Sequence, residues 1–535
     1  MTVAGIVVKI LGLVCKIPLV YIIGEEGMGY YNSAYTIYNL FFILSGAGLP
    51  VAISILVCEE NSKAGKGSLG VVFRIVLLVL VLFGVLGLLI LWFGAETFAA
   101  FIGNPPSYVC ILVMAPVFFC VCVAGGLRGY FQGLSRMIPT GVSQLIEALT
   151  KAVLGVALAL YGVKRGYSLA ICASLALVGI AVGSFLSMAY LLLLAIGSKA
   201  FRNEGKSAVM RPLPVVKRLF RIALPVTLGS LVLSLSGFLD LAVVMRGLQR
   251  AGMDTALANR LYGNYSSLAM PMFNLPTVLF MPISYAVVPR VTEARIRGEA
   301  TAISRTANGA LCAMSIVTMP CVFGLYLLSK PILLLLFEEQ AALRAAPLLS
   351  VLGPAVFFLG IVTVTGSLLQ ASGNQMLPVV SMGCGALSKL LVSLCLSPKI
   401  GITGAPLGTL CCYTVIAVIN LYFAMRRGLL TLSFGKQLWA PLVSGFGCAL
   451  AGRLMYAFTQ ERLDTRVSAL ICIGIAGMIY LFLLFALGGV DADMLSALPL
   501  PKKMKTRLCR LGMSKERTIH CENCQGTAKS ASLRL

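Results

Sequence analysis

The sequence predicts an all-α polytopic membrane protein of about fourteen transmembrane helices. Three observations carry that reading. The 535 residues are 59% hydrophobic and only 12% charged, more apolar surface than a soluble core of this size hides. Apolar runs long enough to cross a bilayer recur along the whole chain. These runs do not alternate with the period of a membrane β-barrel strand.

The spans are expected at 3–23, 33–57, 71–93, 108–127, 138–161, 168–196 and 218–245, then 263–288, 304–328, 347–370, 376–396, 402–425, 437–458 and 467–488. The first carries Lys9, Lys16 and Pro18, and Gly24-Glu25-Glu26-Gly27 joins it to the second as a plain turn on the outer side. The fifth opens at Pro139 and carries Gln144, Glu147 and Lys151 along one stripe. The seventh holds Pro225 and, late in its course, Asp240. The eighth is headed by Arg260 and contains Pro271, Pro276 and Pro282. Proline removes backbone hydrogen bonds, so these spans are expected to kink, either as fixed bends or as hinges. The eleventh opens near Pro378 and holds Lys389 in mid-span.

The net charge of +24 first suggests nucleic acid, but its distribution argues for topology instead. Most of the 43 Lys and Arg lie in one set of alternate loops and in the C-terminal tail. That asymmetry places both termini in the cytoplasm, with anionic headgroups as further partners. Nucleic-acid binding is excluded on this ground. Most of the 17 Cys lie within spans, Cys15, Cys120, Cys122, Cys384, Cys411 and Cys412 among them, where they act as small apolar residues. In the tail Cys509, His520, Cys521 and Cys524 fit no standard zinc spacing, so no metal and no cofactor are expected. No cleavable signal peptide is read, because the first span lacks a basic leader and contains Lys9 and Lys16.

An internal repeat organises the chain. Residues 132–151, QGLSRMIPTGVSQLIEALTK, match 370–389, QASGNQMLPVVSMGCGALSK, from Gln to Lys at the same spacing. A weaker match pairs 35–54 with 265–284. Both offsets span six helices and so preserve orientation, as in a parallel repeat. The expected domains are an N-terminal lobe 1–196, a basic cytoplasmic connection 197–217, a C-terminal lobe 218–425, two further helices within 426–490, and a basic tail 491–535.

Ionisable residues inside spans are expensive and usually face a partner or a cavity. Lys9 and Lys16 are two helical turns apart and share a face. Glu147 and Lys151 stand at i and i+4, either as a self-neutralising brace or as coupling and substrate groups. The repeat keeps Lys389 but has Gly385 where the glutamate would stand, which reads as an unpartnered lysine. A cavity lined by Lys9, Lys16, Lys151, Lys389 and Arg260 suits an anion, and phosphate above all. Glu147 and Asp240 are the candidate coupling or structural charges.

Four stretches then resemble a known family: AGIVVKILGLVCKIPLVYIIGEEGMGYYNSAYTIYNLFFILSGAGLPVAISILV, LRGYFQGLSRMIPTGVSQLIEALTK, IALPVTLGSLVLSLSGFLDLAVVMRGL and NRLYGNYSSLAMPMFNLPTVLFMPIS. They are similar to the polysaccharide-transport branch of the multidrug/oligosaccharidyl-lipid/polysaccharide exporter superfamily, over nearly all of residues 2–490. The resemblance implies two six-helix lobes plus two extra helices. It implies transfer of a lipid-linked saccharide from the inner to the outer leaflet. An ion gradient or the membrane potential is a candidate partner, since moving one charge is worth about 2.3 kcal/mol per 100 mV, but the sequence does not give the energy source. Family-type cavity charges fall on Lys9, Lys16 and Arg260. Relatives carry several residues ahead of the first helix and tend to have Arg where span one here has Lys, which keeps charge but loses bidentate geometry.

Three other functions compete. A cation-coupled drug exporter of the same superfamily needs acidic cavity groups, for which Glu147 and Asp240 stand. A membrane enzyme is disfavoured, since the single His is His520 in the tail and no long outer loop carries paired carboxylates. A scaffold in cell-wall or sporulation assembly would act through the basic tail. No GxxxxGK[ST] loop is present, which argues against direct ATP hydrolysis.

Overall fold

The computed structural model describes residues 2–46, 48–62, 69–198, 212–431, 436–460 and 462–489. The side chain of Lys9, most of the expected connection 197–217 and the whole tail 491–535 lie outside the described residues. The expectations placed on Cys509, His520, Cys521 and Cys524 fall there too.

Among the described residues every regular element is helical: α1 Thr2–Gly46, α2 Leu49–Ser62, α3 Leu69–Phe101, α4 Tyr108–Gly133, α5 Ile138–Lys164, α6 Leu169–Gly197, α7 Pro212–Arg250, α8 Thr255–Asn264 and α9 Met270–Asn274. There follow α10 Thr277–Ile296, α11 Ala300–Leu327, α12 Ser329–Leu336, α13 Glu339–Ala371, α14 Met376–Ile400, α15 Gly404–Arg426, α16 Lys436–Thr459 and α17 Thr465–Ala486. A helix satisfies its own backbone groups, which is what hydrocarbon demands of a spanning segment.

Ten of these runs, or eleven if a broken pair counts as one, are long and apolar enough to cross a membrane. The number among the described residues stays below fourteen because two expected spans fuse and because α1 and α2 are not among the counted helices. The α14 and α15 helices form one apolar stretch, Met376–Arg426, interrupted only by a single 3-10 turn at Gly401–Thr403. The first span and much of the second are merged in α1.

The expected turn Gly24-Glu25-Glu26-Gly27 is not a loop. Gly24 alone leaves helical geometry, at φ 66° and ψ −177°, and Glu25 restarts the helix at once. The left-handed φ is open to glycine without strain, so one residue bends α1 where a loop was expected. The second expected span, 33–57, is likewise broken, because α1 ends at Gly46 and α2 begins at Leu49. Pro50 is the second residue of α2 and has no N–H to give to residue 46, and the first turn of a helix is where proline is best tolerated. The eighth span breaks as its prolines foretell. A π turn at Tyr265–Ala269 precedes Pro271, and the chain breaks between Asn274 and Thr277 at Pro276.

Contacts group the chain into two compact units. Unit 1 comprises Met1–Asn274, Ile332–Leu352 and Val379–Val415. Its core brings α2, α3, α4, α6 and α7 together around Ile53, Phe73, Leu80, Leu127, Phe131 and Leu219. In α3 one face buries Val72, Val76, Leu80 and Leu91, while Leu78, Leu82, Leu86 and Phe93 stand exposed on the other. Phe93 is 79% exposed. An apolar residue at that exposure, in a helix apolar all round, faces lipid rather than water.

Unit 2 comprises Leu275–Pro331, Gly353–Pro378 and Ile416–Leu535. There α11 packs on α10 and α16, and α16 on α17. Cys448, Ala449, Tyr480 and Leu484 form the buried cluster. The Tyr480 hydroxyl donates to the Ile316 carbonyl at 2.6 Å, satisfying the polar end of a buried ring.

Candidate substrate-binding site

Four charged clusters lie within unit 1, and they sort the candidate residues. The first forms between the two halves of α1 and α5. Lys16 stands two residues before Pro18 in the first half of α1. Its Nζ donates to Asn32 Oδ1, 3.4 Å away in the second half. Asn32 is buried and fixed in turn, its Nδ2 donating to the Met28 carbonyl and to Ser267 Oγ in the π turn. Lys151, in α5, places its Nζ 5.1 Å from the centre of the Tyr35 ring. A cation over an aromatic face is held by the ring quadrupole. Tyr31 stacks on Tyr35, with centroids 6.2 Å apart and planes within 10°. Cys15 Sγ donates to the Lys151 carbonyl at 3.9 Å, tying α1 to α5 beside both lysines.

Lys16 and Lys151 are both half-buried and close enough to repel each other. Among the described residues neither has a carboxylate within ion-pair distance. The cluster therefore carries two positive charges against neutral partners.

The second cluster accounts for Glu147, and it corrects the expected Glu147–Lys151 pair. Glu147 Oε2 meets Arg128 Nη2 at 3.0 Å. Arg128, one residue past the expected fourth span, lies inside α4, where its Nε and Nη2 also donate to Ser143 Oγ and Ser187 Oγ, each at 3.0 Å. The guanidinium thus links α4, α5 and α6 through three side chains. Helical spacing put Glu147 and Lys151 on one face, but neighbouring helices offered each a better partner.

The third cluster corrects the reading of Lys389 as unpartnered. Its Nζ lies 3.0 Å from Asp240 Oδ2. Ser393, one turn further along α14, donates to Asp240 Oδ1 at 2.6 Å. Both charged side chains are buried, at 15% and 7% exposure, so each is neutralised where a lone charge would be unaffordable.

The fourth involves Arg260 and two residues that the sequence did not single out. Arg260 Nε lies 3.2 Å from Glu25 Oε2. Arg344, in α13, grips the same carboxylate in fork geometry, with Nη2 3.0 Å from Oε1 and Nε 3.1 Å from Oε2. Glu25 is buried immediately after the Gly24 bend. Its place beside that glycine was the one signal available in the sequence.

Of the five expected cavity cations, then, the structure brings Lys16 and Lys151 together, gives Arg260 and Lys389 carboxylate partners, and leaves the Lys9 side chain outside the described residues. Two unneutralised ammonium groups beside hydrogen-bonding and aromatic side chains can hold a compact anion such as a phosphate.

With this geometry in view, comparison with known proteins is informative. Residues 1–295 match the family described as "Polysaccharide biosynthesis protein", and residues 264–394 match the family described as MatE. The uncharacterized membrane protein YabM of Bacillus subtilis is 26% identical over 513 residues, covering 94% of each chain. Stage V sporulation protein B of the same organism is 26% identical over 432 residues, covering 78% of this chain and 80% of its own. Among solved structures, the inward closed conformation of the lipid II flippase MurJ superposes with a TM-score of 0.71 at 17% identity, over 90% of this chain and 97% of its own. That likeness is one of fold.

Proposed function

This chain belongs to the polysaccharide biosynthesis protein family, a branch of the multidrug/oligosaccharidyl-lipid/polysaccharide exporter superfamily of membrane transporters, and on that premise we propose that it is a lipid flippase. Its cargo is an undecaprenyl-pyrophosphate-linked saccharide, a precursor of peptidoglycan, cortex or another polysaccharide. It works in the plasma membrane of a bacterium, with both termini cytoplasmic.

The observation that carries this reading is the Lys16–Lys151 cluster, two half-buried ammonium groups with no carboxylate at ion-pair distance among the described residues. A pyrophosphate would relieve their mutual repulsion and replace the hydration both lose in a low-dielectric interior. Asn32 holds Lys16 and the Tyr35 ring supports Lys151, so both heads are oriented before a ligand arrives. The prenyl chain stays in hydrocarbon while alternating access carries the head group across. Moving a net charge through the membrane potential supplies about 2.3 kcal/mol per charge per 100 mV. Family relationship and site chemistry both favour transport over catalysis.

A drug exporter that binds cations needs a free carboxylate. Glu147 and Asp240, its candidates, are held by Arg128 and Lys389. This favours the anionic cargo.

The test uses proteoliposomes with a fluorescent undecaprenyl-pyrophosphate saccharide and follows its passage between leaflets. Wild type is expected to transfer it, and Lys16→Ala and Lys151→Ala are expected to lose most of the rate with their helicity intact. Unchanged transfer in both variants would overturn the cationic site. Transfer of cationic dyes instead would move the assignment to the drug exporters.

A further inference from the structure

A second basic site stands in unit 2. Arg295 lies in the last turn of α10, and Arg427 follows the end of α15. Both address the turn between α13 and α14. Gly373 closes α13 at φ 86°, its N–H donating to the Gln370 carbonyl at 3.0 Å. The guanidinium of Arg295 fills the space beside this glycine, so that an added Cβ would stand 2.3 Å from Nη1 and 2.7 Å from Cζ. Arg427 Nη1 donates to the side-chain oxygen of the next residue, Asn374, whose Nδ2 donates to Ser372 Oγ at 3.1 Å.

Two guanidiniums thus converge on one short turn whose groups are all neutral. Among the described residues neither Arg295 nor Arg427 takes part in an ion pair. The nearby carboxylate of Glu293 is engaged by Arg297 at 2.6 Å. A cation at a helix C-terminus is favourable, which explains one arginine at the end of α13 but not two. Both guanidiniums are exposed.

The surroundings give the depth in the membrane. Ile296 is 81% exposed beside Arg295, Met376 is 66% exposed just past the turn, and Tyr422 is 52% exposed about one turn before Arg427. Exposed aliphatic side chains belong against acyl chains, and exposed Tyr belongs at the headgroup boundary. The guanidiniums therefore stand at headgroup level, above a surface suited to lipid tails.

We propose that Arg295, Arg427 and the 372–374 turn form a seat for the phosphodiester headgroup of an anionic membrane phospholipid. The planar fork of each arginine presents paired donors to phosphate oxygens, and Asn374 sets the fork of Arg427. The bound lipid is a resident of the bilayer, held at the ends of α10, α13 and α15, and is separate from the transported cargo.

The full-length chain in detergent micelles tests this by titration with fluorescent phosphatidylglycerol, with phosphatidylcholine as the neutral comparison. Wild type is expected to prefer phosphatidylglycerol, and to do so less at high salt. Each guanidinium contributes about fivefold, so R295Q/R427Q is expected to lose about twenty-five-fold in phosphatidylglycerol affinity and to keep its phosphatidylcholine affinity. R295K/R427K is expected to recover part of the loss. Equal binding of the two lipids by wild type, or undiminished phosphatidylglycerol binding by the double variant, would overturn the site. Displacement of the lipid by millimolar inorganic phosphate would overturn the assignment to a lipid. Should the double variant fail to fold, Arg427→Gln alone decides, with a fivefold loss expected and no change overturning the proposal.

Discussion

Lys389 reaches Asp240 at 3.0 Å, and Ser393, one turn along the same helix, donates to the carboxylate's second oxygen at 2.6 Å. The pair ties α14 to α7 inside unit 1, and its energetics follow from burial. Removing one partner strands the other charge, at a cost of about 3–5 kcal/mol, whereas replacing both with apolar residues of similar volume is near neutral. Lys389→Met alone is therefore expected to lower the thermal midpoint strongly, and Lys389→Met with Asp240→Leu to restore most of it. Melting in detergent, followed by circular dichroism, checks this. Equal damage from the single and double substitutions would mean that the pair contributes through something other than charge neutralisation.

The Arg128–Glu147 contact makes an opposite prediction for two charge swaps. Glu147→Lys with Lys151→Glu conserves charge on α5 and would be harmless if those residues braced each other. Here it sets a lysine against Arg128, so loss of stable protein is expected. Arg128→Glu with Glu147→Arg reverses the observed pair and is expected to retain more folded protein. Size-exclusion profiles of the two double variants give the ranking.

At Glu25 the two arginines differ in geometry. Arg344 forms a fork, while Arg260 contributes one contact. Arg344→Ala is thus expected to lower the thermal midpoint more than Arg260→Ala, and Arg344→Lys to recover only part, because an ammonium cannot reproduce the fork. Glu25→Gln leaves two guanidiniums facing each other and is expected to be worse than either arginine substitution.

The lysines of the candidate site should behave differently again. An unpaired charge in a half-buried site destabilises the empty protein, so Lys151→Met is expected to raise stability by about 1 kcal/mol while abolishing transfer. A gain in melting temperature together with lost flippase activity would mark Lys151 as a residue kept for function. A drop in melting temperature would mean that its contact with the Tyr35 ring outweighs the repulsion from Lys16.

Much of this was legible along the chain. The apolar runs predicted helices, and Pro271 and Pro276 predicted the broken eighth span. The unbroken second span did not hold, although Pro50 was in plain view, because hydropathy counts side chains and ignores the missing N–H. Gly24 was read as part of a loop because composition does not distinguish a loop from a single bent residue.

Partnership was the part that linear reasoning assigned poorly. Local spacing paired Glu147 with Lys151 and left Lys389 alone, yet Glu147 and Lys389 both have their ion partners on other helices. Glu25 and Arg344 stand 319 positions apart, a separation that no periodicity addresses. By itself the sequence determined that the chain is helical and that it lies in a membrane, because hydrocarbon imposes those terms on every segment separately. Only the tertiary structure decided which charges are neutralised and that Lys16 and Lys151 meet no carboxylate among the described residues, because Coulomb attraction and desolvation act on distances in space, and packing sets those distances.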